Sequence, residues 1–402
     1  MRFAWCSCDD LMHYSPGHDR MREFGPRLIA ISGDYPYFTN NSGGGALCGV
    51  STSAPTKGMS VAATKAHMTQ LFAKPSLARL MALRRSGVRI VQQLDDHDMW
   101  SGNDWDHTLA QANSGDVPLG AVSQTEVNDH WWTGLQAALE FQADNFDNPA
   151  PDYSGNTERP PVAITGGANP PTTSYPIRYW FEDYAVDGTP GGQDLRIIYT
   201  DSISYRADRD SAETAAKVFL GTQQEEWLID SIAGAAGHHH VFVCSTKELT
   251  KQNAGGGAGG YMGTAINPDT FGAYQTALER TLTAIQATGV NPIWLSGDKH
   301  HPHVMDARRS RGAAYDIIDI CACPISVQLG GVANGLIYMS PGWRREWVGQ
   351  YQCFGAVEID REGARVSIRH ATSGSPMWSA RFAPRSNAPI YDAPATMVRV
   401  AA

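Results

Sequence analysis

The segment PIWLSGDKH, residues 292–300, joins a short apolar run to a turn of polar and charged residues. An apolar run of this length, bounded by turn residues, is typical of a buried β-strand, here ending at Ser296. The turn then brings a carboxylate, an amine and an imidazole into three successive positions, Asp298, Lys299 and His300. We interpret the segment as a strand that delivers polar groups to one edge of a sheet.

Three further polar clusters also follow predicted strands. They are Ser7-Cys8-Asp9-Asp10, Gly33-Asp34-Tyr35-Pro36-Tyr37 and Asp95-Asp96-His97-Asp98. Open α/β folds place their sites at the ends of strands, so the four clusters are expected to converge. The predicted strands are Phe3–Ser7, Leu28–Ser32, Val88–Leu94, Leu195–Thr200, Val241–Ser245 and Pro292–Ser296.

Helical spacing of apolar residues occurs between these strands, and the alternation predicts an α/β layered fold. The predicted helices are Val61–Ala73, a short helix opening at Pro75, Trp131–Phe146 and one around Gln223–Ile232. A hairpin of Val357–Ile359 with Arg365–Arg369 is expected to complete a sheet. We predict a single domain over residues 1–402, with an insertion at about 101–176 and a sheet-completing segment at about 330–402.

Composition excludes several classes of protein. Of the 402 residues, 42% are hydrophobic and 18% charged, which suits a globular core rather than a disordered chain. The formal net charge of -9 argues against a broad basic face, so no nucleic-acid partner is expected. No stretch is long and apolar enough for a membrane span or a secretory signal, so the expected location is cytoplasmic. The seven cysteines give no dense disulfide pattern.

Clustered carboxylates repel one another unless cations neutralise them. Two metal ions can share one bridging carboxylate, for which Asp34 is the natural candidate, and can hold hydroxide between them. Such a centre stabilises the attacking and leaving oxygens of an in-line displacement, which makes a phosphoester the fitting substrate.

The order of six motifs resembles the PhoD-like (alkaline phosphatase D) family of the calcineurin-like metallophosphoesterase superfamily. The resemblance extends over about three quarters of the chain. The motifs are Ser7-Cys8, Gly33–Tyr37, Asp95–Asp98, Asp201–Arg206, Leu220–Leu228 and Ser296–His300.

This resemblance implies two packed sheets flanked by helices, and hydrolysis of phosphate monoesters, diesters or both at a dinuclear metal centre. The ligands that it implies are Cys8, the bridging Asp34, Tyr37, Asp96, Asp298 and His300. A thiolate and a phenolate together favour iron at one position, and calcium, zinc or manganese at the other remain open.

The resemblance also implies roles toward the substrate, a small-molecule phosphate ester. His97 is expected to assist the leaving oxygen, Arg206 to hold phosphoryl oxygens and Asn103 to add a polar contact. Ile203 departs from the family, which has Arg at this position, so one phosphate or structural contact is missing.

Neighbouring residues receive more ordinary interpretations. Asp95 and Asp98 are expected to be hydrogen-bond partners of the ligands, helix caps or solvated charges rather than ligands. Cys321 and Cys323 lack a second matching pair and are interpreted as ordinary thiols.

Two other functions remain open. The first is a catalytically lapsed protein that binds a phosphate ligand, suggested by Ile203 and by the absence of the family's amino-terminal β-domain from this sequence. The second is a nuclease of the same superfamily, which the lack of a basic track disfavours. Oligomeric state, substrate and the preference for monoester or diester are not determined by the sequence.

Overall fold

The fold was analysed in a computed structural model. It describes residues 1–9, 15–35, 75–95, 98, 135, 138–150, 177–207, 212–249, 270–326, 342–349 and 351–391. The predicted helix Val61–Ala73 and most of the predicted insertion at 101–176 lie outside these residues.

The described strands form two seven-stranded mixed sheets. In the first sheet the order is β14-β13-β12-β11-β1-β2-β3, and in the second it is β10-β8-β9-β7-β6-β5-β4. The first sheet contains β1 (Arg2–Cys6), β2 (Leu28–Ser32), β3 (Arg89–Gln93), β11 (Cys353–Asp360), β12 (Gly363–His370), β13 (Pro376–Phe382) and β14 (Ile390–Tyr391). The second contains β4 (Trp180–Tyr184), β5 (Leu195–Tyr199), β6 (His240–Cys244), β7 (Ile293–Ser296), β8 (His303–Ala307), β9 (Ile317–Cys321) and β10 (Trp343–Val348).

Each sheet contains a run of parallel neighbours. Strands β1, β2 and β3 are parallel, and so are β5, β6, β7 and β9. Parallel strands are usually covered on both faces, which explains why β2, β5 and β6 are buried along their whole length. Because parallel strands end on the same side, the turns that follow β1, β2 and β3 lie together, as do those that follow β5, β6 and β7.

The main apolar core lies between the sheets. Phe3 of β1 meets Phe242 of β6 edge to face, with the ring centroids 5.3 Å apart. Leu28 and Leu195 belong to the same buried cluster, one from each sheet. Full burial of a side chain of this size contributes roughly 1.5–3 kcal/mol, so the sheets form a sandwich held by their inner faces.

Helices cover the outer faces of the sandwich. Helices α1 (Gly17–Phe24) and α2 (Pro75–Arg85) pack with β1 and β2 in a second apolar cluster. Helices α3 (Thr222–Ala233) and α4 (Gln275–Ala287) pack with β5, β6 and β7 in a third. Residues 138–145 are also helical. This architecture confirms the predicted α/β class with two sheets flanked by helices.

The strand predictions were accurate but incomplete. The six predicted strands all occur, with ends that differ by no more than one residue from those observed. The predicted hairpin is β11 with β12, in which Val357 pairs with Val366. Helix α1 was not predicted, because only His18, Met21 and Phe24 of its charged sequence supply a buried face. The single domain over 1–402 and its boundaries stay a prediction.

Among the described residues, none of the helices is long and apolar enough to cross a bilayer.

Candidate metal centre

The turns after β1, β2 and β7 have unusual backbone conformations. Cys8, Asp34 and Asp298 adopt left-handed φ angles of 59°, 57° and 63°. Residues other than glycine seldom adopt this conformation, which costs about 1–3 kcal/mol and tends to occur at functional sites. All three turns come together: the Asp9 amide donates to the Asp34 carbonyl at 3.1 Å, and the Asp298 amide donates to the Ser7 hydroxyl at 3.0 Å.

One group of potential metal ligands combines a thiol, a carboxylate and an imidazole. We name Cys8, Asp34 and His300 the sulfur triad; their donor atoms all lie within 4.8 Å of one another. Cys8 and Asp34 are buried and His300 is half-buried. The Cys8 Sγ donates to Asp34 Oδ2 at 3.3 Å. Thiolate and imidazole suit zinc and iron, so this donor set fits a transition metal.

A second group consists of carboxylates alone. We name Asp34, Asp95 and Asp298 the carboxylate triad; their oxygens also lie within 4.8 Å of one another. Oxygen donors of this kind suit hard cations such as calcium and manganese. Asp34 belongs to both triads and is therefore placed to bridge two cation positions.

Two lysines already neutralise part of the carboxylate triad. The Lys247 Nζ lies 2.7 Å from Asp95 Oδ1 and 2.7 Å from Asp298 Oδ1. The Lys299 Nζ lies 2.7 Å from Asp298 Oδ2. Burial alone raises the pKa of the Asp298 carboxyl, but the two ammonium groups outweigh it and hold this pKa well below its ordinary value. Asp298 is therefore ionised across the physiological range.

The Asp98 carboxylate accepts hydrogen bonds from the backbone of the turns that carry Asp34 and Asp95. Its Oδ2 accepts hydrogen bonds from the Asp34 amide at 2.9 Å and the Asp95 amide at 2.8 Å. Its Oδ1 accepts from the Tyr35 amide at 2.7 Å and from Gln92 Nε2 at 3.2 Å. The structural interpretation of Asp98 agrees with these contacts.

A second sulfur lies against the Cys8 thiol. The Cys323 thiol donates to Cys8 Sγ at 3.0 Å, and Ser7 Oγ lies 3.1 Å from the same sulfur. Burial, followed by the Cys323 contact, raises the pKa of the Cys8 thiol above its ordinary value. Cys8 therefore ionises at neutral pH only with the help of a cation. None of the six described cysteines forms a disulfide.

The segment after β5 is held by its own aspartate. Asp201 Oδ1 accepts from the amides of Ile203 and Ser204 at 3.0 and 2.9 Å. Ile203 is fully buried and belongs to the same apolar cluster as Cys8. The apolar residue at this position thus contributes to the core. Arg206 is also buried, and its contact with substrate stays a prediction.

The structure brings four of the predicted site residues together: Cys8, Asp34, Asp298 and His300. Four others lie outside the described residues, namely Tyr37, Asp96, His97 and Asn103.

Three residues to which the sequence interpretation gave no ligand role lie close to the predicted ligands. Asp95, interpreted as a hydrogen-bond partner or cap, lies in the carboxylate triad. Lys247 was not predicted to lie at the site, and the only signal in the sequence was its position shortly after the predicted strand Val241–Ser245. Cys323, interpreted as an ordinary thiol, contacts the sulfur of Cys8.

A cavity of about 450 Å³ is lined by residues of β3, β4 and α3 and of the segment after β5. Its lining includes Gln92, Arg178, Trp180, Asp201 and Trp227. The donor residues of the two triads are not among the described residues that line it.

Part of the sequence matches a known protein family. Residues 191–364 match the family model of the PhoD-like phosphatases. No curated protein sequence matches this chain.

Among solved structures, the chain is similar to one titled "Structure of PhoD", with a TM-score of 0.65 and 15% identity over 99% of this chain and 72% of that chain. It is also similar to the purple acid phosphatase PPD1 from seeds of yellow lupin (Lupinus luteus), with a TM-score of 0.54 and 12% identity. That match covers 95% of this chain and 53% of the lupin chain, so this chain spans about half the length of the lupin enzyme. At such low identities the likeness shows a shared fold.

Proposed function

We propose that this chain is a metal-dependent phosphatase that hydrolyses small phosphate esters at the two triads, because residues 191–364 match the family model of the PhoD-like phosphatases. The observation that supports this proposal best is that the sulfur triad and the carboxylate triad share Asp34. In finer detail, we propose two cation positions, one on each side of the Asp34 carboxylate. Monoesters and diesters are both substrates under this proposal.

The two triads offer different donor atoms to a metal, and each set suits a different type of metal. Cys8 and His300 supply the softer ligands, so iron or zinc suits the sulfur triad. Asp95 and Asp298 supply oxygens, so calcium or manganese suits the carboxylate triad. A metal held by these side chains would lower the pKa of a coordinated water from about 15.7 to about 7 and would so supply a nucleophile at neutral pH.

Proton transfer and binding of the phosphoryl group are assigned to side chains of this chain. His97 is proposed to give a proton to the departing oxygen, since imidazole exchanges protons near neutral pH. The Arg206 guanidinium is proposed to hold two phosphoryl oxygens and to offset their charge. Asn103 would add a hydrogen bond, and Tyr37 and Asp96 would complete the ligand set.

The proposal is tested by comparing wild type with Asp34→Ala. Metal content by plasma mass spectrometry and hydrolysis of p-nitrophenyl phosphate and bis(p-nitrophenyl) phosphate are measured on the same samples. Asp34→Ala is expected to lose most of the bound metal and at least about 100-fold of the hydrolysis rate, because both positions lose a ligand.

Asp230→Ala is the matched control, because Asp230 is exposed on α3. It should retain metal and activity. Undiminished hydrolysis by Asp34→Ala would refute the assignment of the site. Wild-type protein that holds metal and inorganic phosphate but hydrolyses neither ester would instead support the lapsed binding protein.

A further inference from the structure

The carboxylate triad encloses a side chain that the proposed chemistry does not use. Lys247 follows β6 by three residues and is fully buried. Its ammonium group contacts Asp95 and Asp298 at 2.7 Å each, and these are two of the three members of the triad.

The charge of this cluster is balanced in part within the chain. A buried ammonium group is stable only when carboxylates pair with it, and buried carboxylates are stable only when cations pair with them. Lys247 and Lys299 together bring two positive charges to the three carboxylates of the triad, and the Lys299 Nζ also lies 3.9 Å from the Glu248 carboxylate. The carboxylate triad is thus partly neutralised before any ion binds.

Geometry leads to the same conclusion. An ion that binds Asp95 Oδ1 and Asp298 Oδ1 would take the place of the Lys247 Nζ, which contacts both of these oxygens. Calcium binds oxygens at about 2.3–2.6 Å, which is close to the observed nitrogen–oxygen distances. A divalent ion and an ammonium group cannot occupy this space together, because of both size and charge.

The sulfur triad differs in its chemistry. Cys8 and His300 provide a sulfur and an imidazole nitrogen, both of which bind transition metals strongly. A lysine cannot take the place of a metal there, since neutral imidazole and thiolate gain far more from coordination than from a hydrogen bond to ammonium.

We infer that the Lys247 ammonium group occupies the second cation position, so that the protein retains one metal ion per chain, at the sulfur triad. This inference rests on the proposed function and specifies what fills the second of its two cation positions. A second metal ion enters that position only by displacing Lys247 from Asp95 and Asp298. Lys247 supplies there a positive charge beside Asp34 that a second ion would otherwise provide.

The test is the number of metal ions that each variant retains. Protein is loaded with Co²⁺ alone, which binds thiolate and imidazole more strongly than Mn²⁺ does. It is then passed through a desalting column and analysed by plasma mass spectrometry and electron paramagnetic resonance. Wild type is expected to retain one ion per chain with the spectrum of an isolated ion. Lys247→Ala and Lys247→Gln are expected to retain two ions with the spectrum of a coupled pair, because the carboxylates are then free to bind the second.

Lys217→Ala is the matched control. Lys217 is also a buried lysine, but it pairs with Glu213 and lies over the Tyr274 ring. This variant should retain one ion, as wild type does. Lys247→Gln keeps most of the side-chain length, and it serves if Lys247→Ala does not fold.

The outcomes separate this inference from the proposed function. Two retained ions in wild type, or one in a folded Lys247 variant, would overturn the inference and leave the phosphatase proposal intact. No retained ion in wild type would count against the metal centre itself. If neither variant folds, titration of wild type decides: a second Co²⁺ that binds within tenfold of the affinity of the first would overturn the inference.

Discussion

Asp98 illustrates how a carboxylate beside a metal centre can act on the backbone. Its two oxygens accept hydrogen bonds from the amides of Asp34, Tyr35 and Asp95, so it fixes two turns relative to each other. A hydrogen bond to a charged acceptor contributes about 1.5–3 kcal/mol, and buried amides that lose it are costly. The position of the Asp34 and Asp95 donors therefore depends on Asp98.

Asp98→Ala is expected to lower the free energy of unfolding by about 3 kcal/mol or more, because several buried amides lose their acceptor. Asp98→Asn should lose less, since one carbonyl oxygen remains. Urea unfolding of the metal-free proteins measures both, and metal affinity should fall in the same order. If Asp98→Ala were no less stable than the surface variant Asp230→Ala, Asp98 would have no structural role.

At the scale of the elements, the turn after β2 is packed too tightly to accept a larger side chain at Gly33. Gly33 has a φ of 74°, and a Cβ there would overlap the Asp95 Cβ and lie 3.0 Å from the Thr246 side chain. The turn after β2 is thus pressed between the turns after β3 and β6. This close approach is what brings Asp34 near Asp95 and Lys247.

Gly33→Ala is expected to cost about 3 kcal/mol of stability and to reduce metal retention, because the left-handed φ and the overlap with Asp95 add together. Gly25→Ala is the matched control: its φ is 68°, but nothing lies within 4 Å of the added Cβ. It should cost only about 1 kcal/mol and leave metal binding unchanged. Equal losses in the two variants, measured by urea unfolding and metal analysis, would show that the turn is not tightly packed.

The sequence predicted where the strands lie along the chain better than which strands lie next to each other in the fold. Apolar runs such as Leu28–Ser32 were recognisable because buried parallel strands are apolar along their whole length. Strand order is not encoded in such runs, so nothing indicated that Lys247 after β6 would meet Asp95 after β3.

The same limit applies to the individual site residues. Neighbouring aspartates in a turn are not distinguished by periodicity, which is why Asp95 was interpreted as a hydrogen-bond partner or cap. Cys323 was overlooked as a partner of Cys8 because 315 positions separate the two sulfurs in sequence. The four predicted ligands that the structure brings together were indicated by the order of the motifs along the chain. Such an order reflects the residues that a site needs, whereas secondary-structure propensity does not.

At the scale of the whole molecule, the candidate metal centre joins the two sheets. Cys8 and Asp34 follow strands of the first sheet, whereas His300 follows β7 of the second. A metal held by the sulfur triad would therefore link the sheets at the end of the sandwich. Lys247 makes a similar link without metal, since it follows β6 of the second sheet and contacts Asp95, which follows β3 of the first.

Removing the metal should therefore lower the stability of the entire fold. A ligand that binds only the native state at 100 times its dissociation constant stabilises that state by about 2.7 kcal/mol. For a chain of this size, a chelator is then expected to lower the Tm by roughly 3 °C in differential scanning calorimetry.

Asp34→Ala provides the decisive comparison, because it lacks the shared ligand. Its Tm should resemble that of chelated wild type and should not respond to chelator. The Lys247 link persists in both, so the unfolding transition should remain cooperative rather than split into two steps. A split transition in chelated wild type would mean that the two sheets unfold as one unit only when the metal is bound. An equal response of Asp34→Ala to chelator would place the stabilising metal elsewhere.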